Sequence, residues 1–256
     1  RDVLRIAREA RIPAQVNHLK AAGAAQFGLI PRLLSTLDSA RKAGLDVAAD
    51  AYPYAAFSTI SDVLFPAWAL AGGREEFARR AADPPTRARL LGEMRLIFPQ
   101  QAGNGPASIV FREAAGAPAW SGRSLAEYAT VQGAPATIEG VLPLLIDLQA
   151  KGGFLAVFHA MDPADVDALM RDASVALESD GDLVAFGAGV PHPRSYGAFP
   201  RLLGTWVRER GELSLEAAVR KMTTLPASRA KIRDRGVLRA GAFADVVIFD
   251  AATVSD

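Results

Sequence analysis

The chain has 256 residues, half of them apolar, which is enough for a substantial core and one or two domains. Its 29 basic and 28 acidic residues leave a formal charge of +1, and neither sign forms a long block, so composition gives no electrostatic support to nucleic-acid binding. No apolar run approaches the roughly 20 residues of a membrane span, and the lack of cysteine excludes disulfides and thiolate metal ligands within these residues.

The start, Arg1 to Ala10, alternates charge with apolar residues and is unlike a signal peptide. With the missing cysteines, this points to the cytoplasm. Val3, Ile6, Ala7 and Ala10 follow the spacing of a buried helical stripe, so the chain, which lacks an initial methionine, opens in mid-helix. Residues 12–17 form a short apolar strand stopping at His18. A helix follows with Ile30, Leu33, Leu34 and Leu37 on one face, ended by Lys42-Ala-Gly44 with Gly44 just past the last turn. Leu45 to Ala49 reads as a second buried strand running into Asp50-Ala-Tyr-Pro-Tyr54. Strand, helix and strand at this spacing make a βα unit of a parallel sheet, in which chemistry gathers at the C-terminal strand ends.

The middle is irregular. Residues 74–97 look helical with a break at Asp83-Pro-Pro85, residues 107–112 alternate like a strand, and residues 124–129 and 138–151 read as helices. The stretch 61–150 is too long for an ordinary connection and is expected to be an insertion. Phe154-Leu-Ala-Val-Phe158 is a buried strand ending at His159. Asp162-Pro163 starts a helix, with Asp as N-cap and Pro at the first helical position, facing Val166, Leu169 and Met170 inward. Val175-Ala-Leu177 is a short strand leading to Glu178-Ser-Asp-Gly181. Phe199, Leu202, Leu203, Trp206 and Val207 mark an amphipathic helix, and Ser214 caps another. From Gly236 to Asp250, two β-like stretches around Ala240-Gly241 suggest the start of a small β domain, the last strand meeting the terminus. Both chain ends read as cuts through a larger fold.

Few residues can carry chemistry. His18 and His159 end apolar strands. Such a histidine is more often a hydrogen-bonded structural residue than a ligand, and spacing alone does not lift His18 above that. Neither H-x-H nor H-E-x-x-H occurs. Asp180, after a short buried strand and before Gly181, suits proton transfer from a water to a leaving amine, and equally suits an Asp-Gly turn. Arg194, in the loop His192-Pro-Arg-Ser-Tyr-Gly197, can bind a carboxylate with two parallel hydrogen bonds or simply face solvent. Tyr52 can donate to a substrate carbonyl or pack on Pro53.

Five segments, taken in order, resemble the N-acyl-D-amino-acid deacylases (D-aminoacylases) of the amidohydrolase superfamily. They are Val16-Asn-His-Leu-Lys-Ala-Ala-Gly23, Asp50-Ala-Tyr-Pro-Tyr-Ala-Ala-Phe-Ser-Thr59, Glu178-Ser-Asp-Gly181, the run from His192 to Gly204, and Lys221-Met-Thr-Thr-Leu-Pro-Ala-Ser-Arg229. The run from Gly236 to Asp250 adds a closing pattern shared by most amidohydrolases. The resemblance covers nearly the whole chain outside the central insertion. It implies an α/β fold, part of a (β/α)8 TIM-like barrel over 1–235 with an insertion at 61–150, and a truncated small β domain beginning at 236–256. It also implies Zn2+ as cofactor and a small-molecule N-acyl-D-amino acid as partner; charge and hydropathy already point to no nucleic acid and no membrane. A zinc-activated water would attack the amide carbonyl. His18 and Asp180 match metal ligands, Asp180 also matching the catalytic proton carrier, while Tyr52, Ser58 and Arg194 match substrate-binding positions.

Two departures stand out: Asn17 replaces a small hydroxyl residue, and Glu178 stands where glycine is common, adding charge beside Asp180. The family's paired N-terminal histidines, metal-binding cysteine and strand-five histidine have no counterpart here, so the chain alone is expected to be inactive. Helices meant for strands outside these residues would leave Leu33, Leu37, Trp206 and Val207 exposed. A cyclic-amide hydrolase of the dihydroorotase or hydantoinase kind, or a non-catalytic protein keeping the fold, are the alternatives.

Overall fold

The structure, a computed structural model, describes residues 1–185 and 187–256. In chain order its elements are α1 (Asp2–Ala10), β1 (Ala14–Val16), α2 (Ile30–Lys42), β2 (Val47–Ala51), β3 (Phe57–Ile60), α3 (Ala67–Leu70), α4 (Gly73–Ala82), α5 (Pro84–Gln101), β4 (Ile109–Ala114), α6 (Leu125–Val131), α7 (Ile138–Ala150), β5 (Phe154–Phe158), α8 (Pro163–Arg171), β6 (Val175–Leu177), α9 (Arg194–Arg201), a π-helix (Leu202–Glu209), α10 (Leu215–Met222) and α11 (Thr224–Arg229).

Local chemistry sets most boundaries. Asp83, Asp162 and Ser214 each accept a backbone N–H of the first turn of α5, α8 and α10, and Ser124 forms a reciprocal capping box with Glu127 on α6. Gly44 takes a positive φ just beyond α2, where a Cβ would be strained. The start of α2 has no side-chain cap of its own. The buried Asp165 carboxylate of α8 supplies one, accepting from the amides of Gly28 at 2.8 Å and Ile30 at 3.2 Å.

Two three-stranded sheets form, and they differ in kind. The first is all parallel, ordered β1-β2-β6, with Val16 opposite Ala49 and Asp50 opposite Ala176. Side chains alternate across a strand, so Val47, Ala49 and Ala51 are buried while Ala48 and Asp50 turn to the other face. That second face lines an open cavity of about 520 Å³ with Gln15, Ala48, Asp50, Ala176 and Glu178. The second sheet is antiparallel, ordered β3-β5-β4. Phe57 and Phe158 stack across it with ring centroids 5.0 Å apart, and Phe111 meets Phe154 edge-on at 5.1 Å.

Several expectations change. Phe154–Phe158, read only as a buried strand, is β5, the centre of the antiparallel sheet between β3 and β4. An apolar run buried on both faces looks alike in either sheet, so pattern alone did not separate them. The stripe on α1 is mostly exposed, with only Ala7 buried. Conversely, Leu37 and Trp206 are buried and Leu33 and Val207 pack against the core, because partners within this chain cover them. The helix expected over 199–207 is divided: α9 gives way to the π-helix next to Pro200, which lacks the N–H that would donate four residues back. Gly236 to Asp250 pairs with no strand among the described residues, and Val246, Val247 and Ile248 are exposed. An extended segment becomes a strand only when a neighbour completes its ladder.

Candidate active site

The C-terminal ends of β1, β2 and β6 lie side by side, and the residues that follow them build one cluster. After β1, the turn carrying His18 is tied to β2: Asp50 accepts the His18 backbone N–H at 2.5 Å and Gln15 Nε2 at 2.7 Å. This holds His18 at φ 40°, a conformation that costs an L-residue energy unless its surroundings impose it, and leaves the imidazole exposed. After β6, Asp180 is likewise held at φ 45°. The Arg194 guanidinium pairs with its Oδ2 at 3.0 Å.

Arg194 lies neither in a loop nor in solvent, as sequence had left open. It is the first residue of α9, its side chain is 7% exposed, and its guanidinium carbon sits 4.7 Å from the centroid of the Tyr52 ring. Lys20 Nζ also stands over that ring, at 5.3 Å. The fold thus brings Tyr52, Asp180 and Arg194 into direct contact. Ser58 sits apart on β3, where its hydroxyl accepts from Arg112 Nη1 at 2.8 Å.

Charge is crowded here. Burial, then Asp50 and Asp180, push the Glu178 carboxyl up to about 7 against the opposing pull of Lys20 and Arg194. The extra charge noted beside Asp180 is therefore felt by Glu178 itself. Burial lowers Lys20 to about 8, opposed chiefly by Asp180, and burial also raises the Tyr52 phenol. Three buried polar atoms of this cluster find no hydrogen-bond partner of acceptable geometry: Tyr52 Oη, Glu178 Oε1 and Arg194 Nη1, the last in spite of its ion pair. Unpaired buried groups are costly, and their concentration at one strand edge is what a site for a polar ligand looks like.

His192 plays a structural part. Its Nδ1 accepts the Arg194 backbone N–H at 3.1 Å, so the proton lies on Nε2, which donates to the Ala56 carbonyl at 3.0 Å. Burial and then Arg194 lower its pKa to about 4. His159 directly follows β5 of the antiparallel sheet.

Residues 109–255 match the model of the amidohydrolase family. The chain belongs to this family. This amidohydrolase is 34% identical over 255 residues to an N-acyl-D-glutamate deacylase of Alcaligenes xylosoxydans xylosoxydans, and 32% identical over the same length to a D-aminoacylase of that organism. Both alignments take in all of this chain, which spans 42% and 43% of the two relatives. It is also similar to the crystal structure of an N-acyl-D-glutamate deacylase from Bordetella bronchiseptica bound to zinc and a phosphonate mimic of the tetrahedral intermediate. The TM-score is 0.72 at 30% identity, over all of this chain and 44% of that one.

An imidazole and a carboxylate, His18 and Asp180, are donors of the kind zinc takes. Among the described residues no group of three or more His, Cys, Asp or Glu could hold a metal ion. The donors present therefore fit zinc in type and are fewer than a closed site needs. No helix among the described residues is long and apolar enough to cross a membrane.

Sequence reasoning missed Arg112 and Lys20. Lys20, two residues past His18 in a segment already singled out, was open to notice. Arg112 lay in a stretch read only as alternating.

Proposed function

We propose that this amidohydrolase chain forms part of a cytoplasmic, zinc-dependent N-acyl-D-amino-acid deacylase. Residues 1–235 would supply the last strands of a distorted (β/α)8 barrel, with 61–150 inserted, and 236–256 would open a small β domain. The observation that carries this reading is the set of three unpaired buried polar atoms, on Tyr52, Glu178 and Arg194, beside Asp180 at the C-terminal edge of the parallel sheet. The deacylase relatives support the same reaction class.

Zinc, when bound, would polarise an amide carbonyl and lower the pKa of water towards about 7. His18 and Asp180 would hold it, with at least one further ligand from outside these residues, since a catalytic zinc site takes three protein ligands. The rest falls to the chain's own side chains. Arg194 offers the planar fork for the α-carboxylate, and Tyr52 Oη donates to an acyl or carboxylate oxygen. Ser58 stands as a further contact to the substrate. As water adds to the amide carbon, the Asp180 carboxylate takes its proton and passes it to the nitrogen as the C–N bond breaks. A carboxylate and a free D-amino acid leave.

The test assays hydrolysis of N-acetyl-D-methionine, N-acetyl-D-glutamate and their L-enantiomers, by the 256 residues alone and within their open reading frame, with zinc content and size-exclusion profile measured on both. D-selective, zinc-dependent turnover is expected only within the reading frame, because two donors do not close a zinc site. L-selective turnover, or a zinc-loaded active monomer of the 256 residues, overturns the reading.

A further inference from the structure

Arg112 belongs to β4 of the antiparallel sheet yet reaches the loop that carries Asp180. The register of β4 against β5 slips between Phe111 and Glu113, which makes Arg112 the extra residue of a β-bulge. A bulge takes its residue out of the ladder and re-aims its side chain. Phe111 and Arg112 are accordingly both buried at consecutive positions of one strand, where alternation would expose one of them. The guanidinium, 8% exposed, ends on three partners. Its Nε donates to the Val190 carbonyl at 3.0 Å, while Nη1 donates to the Ser58 hydroxyl at 2.8 Å and meets the Asp182 carboxylate at 2.8 Å.

Asp182 and Val190 both lie in the connection between β6 and α9, residues 178–193, and Asp182 follows Asp180 by two residues. The Asp182 amide is itself fixed by Ser195 Oγ at 3.1 Å. Two neighbouring aspartates on a backbone kinked at positive φ would repel and relax if left free. Instead each has its own buried guanidinium, Arg194 for Asp180 and Arg112 for Asp182.

We propose that Arg112 is a positioning residue of the hydrolytic site: from β4 of the antiparallel sheet it holds Asp182, and through it the Asp180 carboxylate, where the proton is moved. This rests on the deacylase reading above. A buried guanidinium repays its desolvation only when its geometry is good, and here Nε and Nη1 meet three partners at 2.8–3.0 Å. A lysine ammonium, a point charge without the fork, does not reproduce three such contacts.

The test compares Arg112→Met, which keeps the aliphatic stem, with Arg112→Lys and with Asp182→Asn. The last changes an exposed partner and leaves the core around β4 intact, so it decides the matter should Arg112→Met fail to fold. Hydrogen–deuterium exchange is followed in peptides covering Asp182 and Val190, and steady-state kinetics in the protein expressed from its open reading frame. Arg112→Met and Asp182→Asn are expected to lose protection in those peptides while β1, β2 and β6 keep theirs. Their kcat falls by about tenfold to a hundredfold, as for a misplacement of about 1 Å, with KM changing far less, and Arg112→Lys restores neither. Unchanged protection, or a lowered melting temperature with kcat intact, overturns the proposal. If the unaltered protein turns over no N-acyl-D-amino acid, the deacylase reading falls. Exchange then decides separately whether Arg112 holds the loop.

Discussion

The Arg194 guanidinium stands 3.0 Å from the Asp180 carboxylate, joining the first residue of α9 to the loop after β6. The carboxylate assigned to proton transfer and the cation assigned to the substrate carboxylate are therefore neighbours. An incoming α-carboxylate would meet Arg194 where Asp180 already holds it, which couples binding to the placement of the base.

Arg194→Lys keeps the charge and loses the fork. Loss of a buried charge-assisted contact costs about 1.5–3 kcal/mol, so KM for N-acyl-D-amino acids should rise by roughly tenfold or more. The check is the preference for the free acid over its amide. An unchanged preference means that the carboxylate is held elsewhere.

Asp180→Asn removes the proposed proton carrier at nearly constant shape. Positioned acid–base groups contribute about 10²–10⁴-fold, and kcat should fall by that order. Circular dichroism and zinc content must accompany the assay, because the variant also leaves the Arg194 charge without its partner. Near-normal kcat with normal zinc would exclude Asp180 from the chemistry.

His192 gives the fold an acid-sensitive point. Its folded pKa, lowered to about 4, lies below the ordinary 6.5 of histidine. Between these values the unfolded chain takes up a proton that the native ring refuses, so stability is lost as pH falls from about 6.5 towards 4. In denaturant titrations at pH 7 and 4.5 the native chain should lose up to about 3 kcal/mol more than His192→Gln. Equal losses in the two proteins would mean that His192 is not the group responsible.

Lys221 acts at the alkaline end. Its buried Nζ donates to the carbonyls of Asp172 at 2.5 Å and Val175 at 2.6 Å, and burial lowers its pKa from 10.5 to about 8. The unfolded state holds the extra proton between about pH 8 and 10.5, so this group makes stability rise with pH across that window. Lys221→Met should be less stable at pH 7, by about 1–3 kcal/mol for the carbonyls left unpaired, and should lack the rise. A parallel pH dependence in both proteins would show that another group titrates.

The sequence by itself determined what depends on near neighbours along the chain. The caps at Asp162 and Ser214, the stop at Gly44 and the break at Asp83 follow from short-range hydrogen bonding and backbone sterics, and each stands where the residues put it. The strand ends bearing His18, Asp50 and Asp180 were legible for the same reason. What a residue meets across space was decided by tertiary structure alone. Phe154–Phe158 has one apolar pattern for two kinds of sheet, and only its partners β3 and β4 made it antiparallel. Arg112 looked like any strand residue until a bulge against β5 re-aimed it at Asp182. Arg194 became a buried cation only when Tyr52 and Asp180 closed around it. Pairing, burial and desolvation are sums over groups far apart in the chain, and no local window contains them.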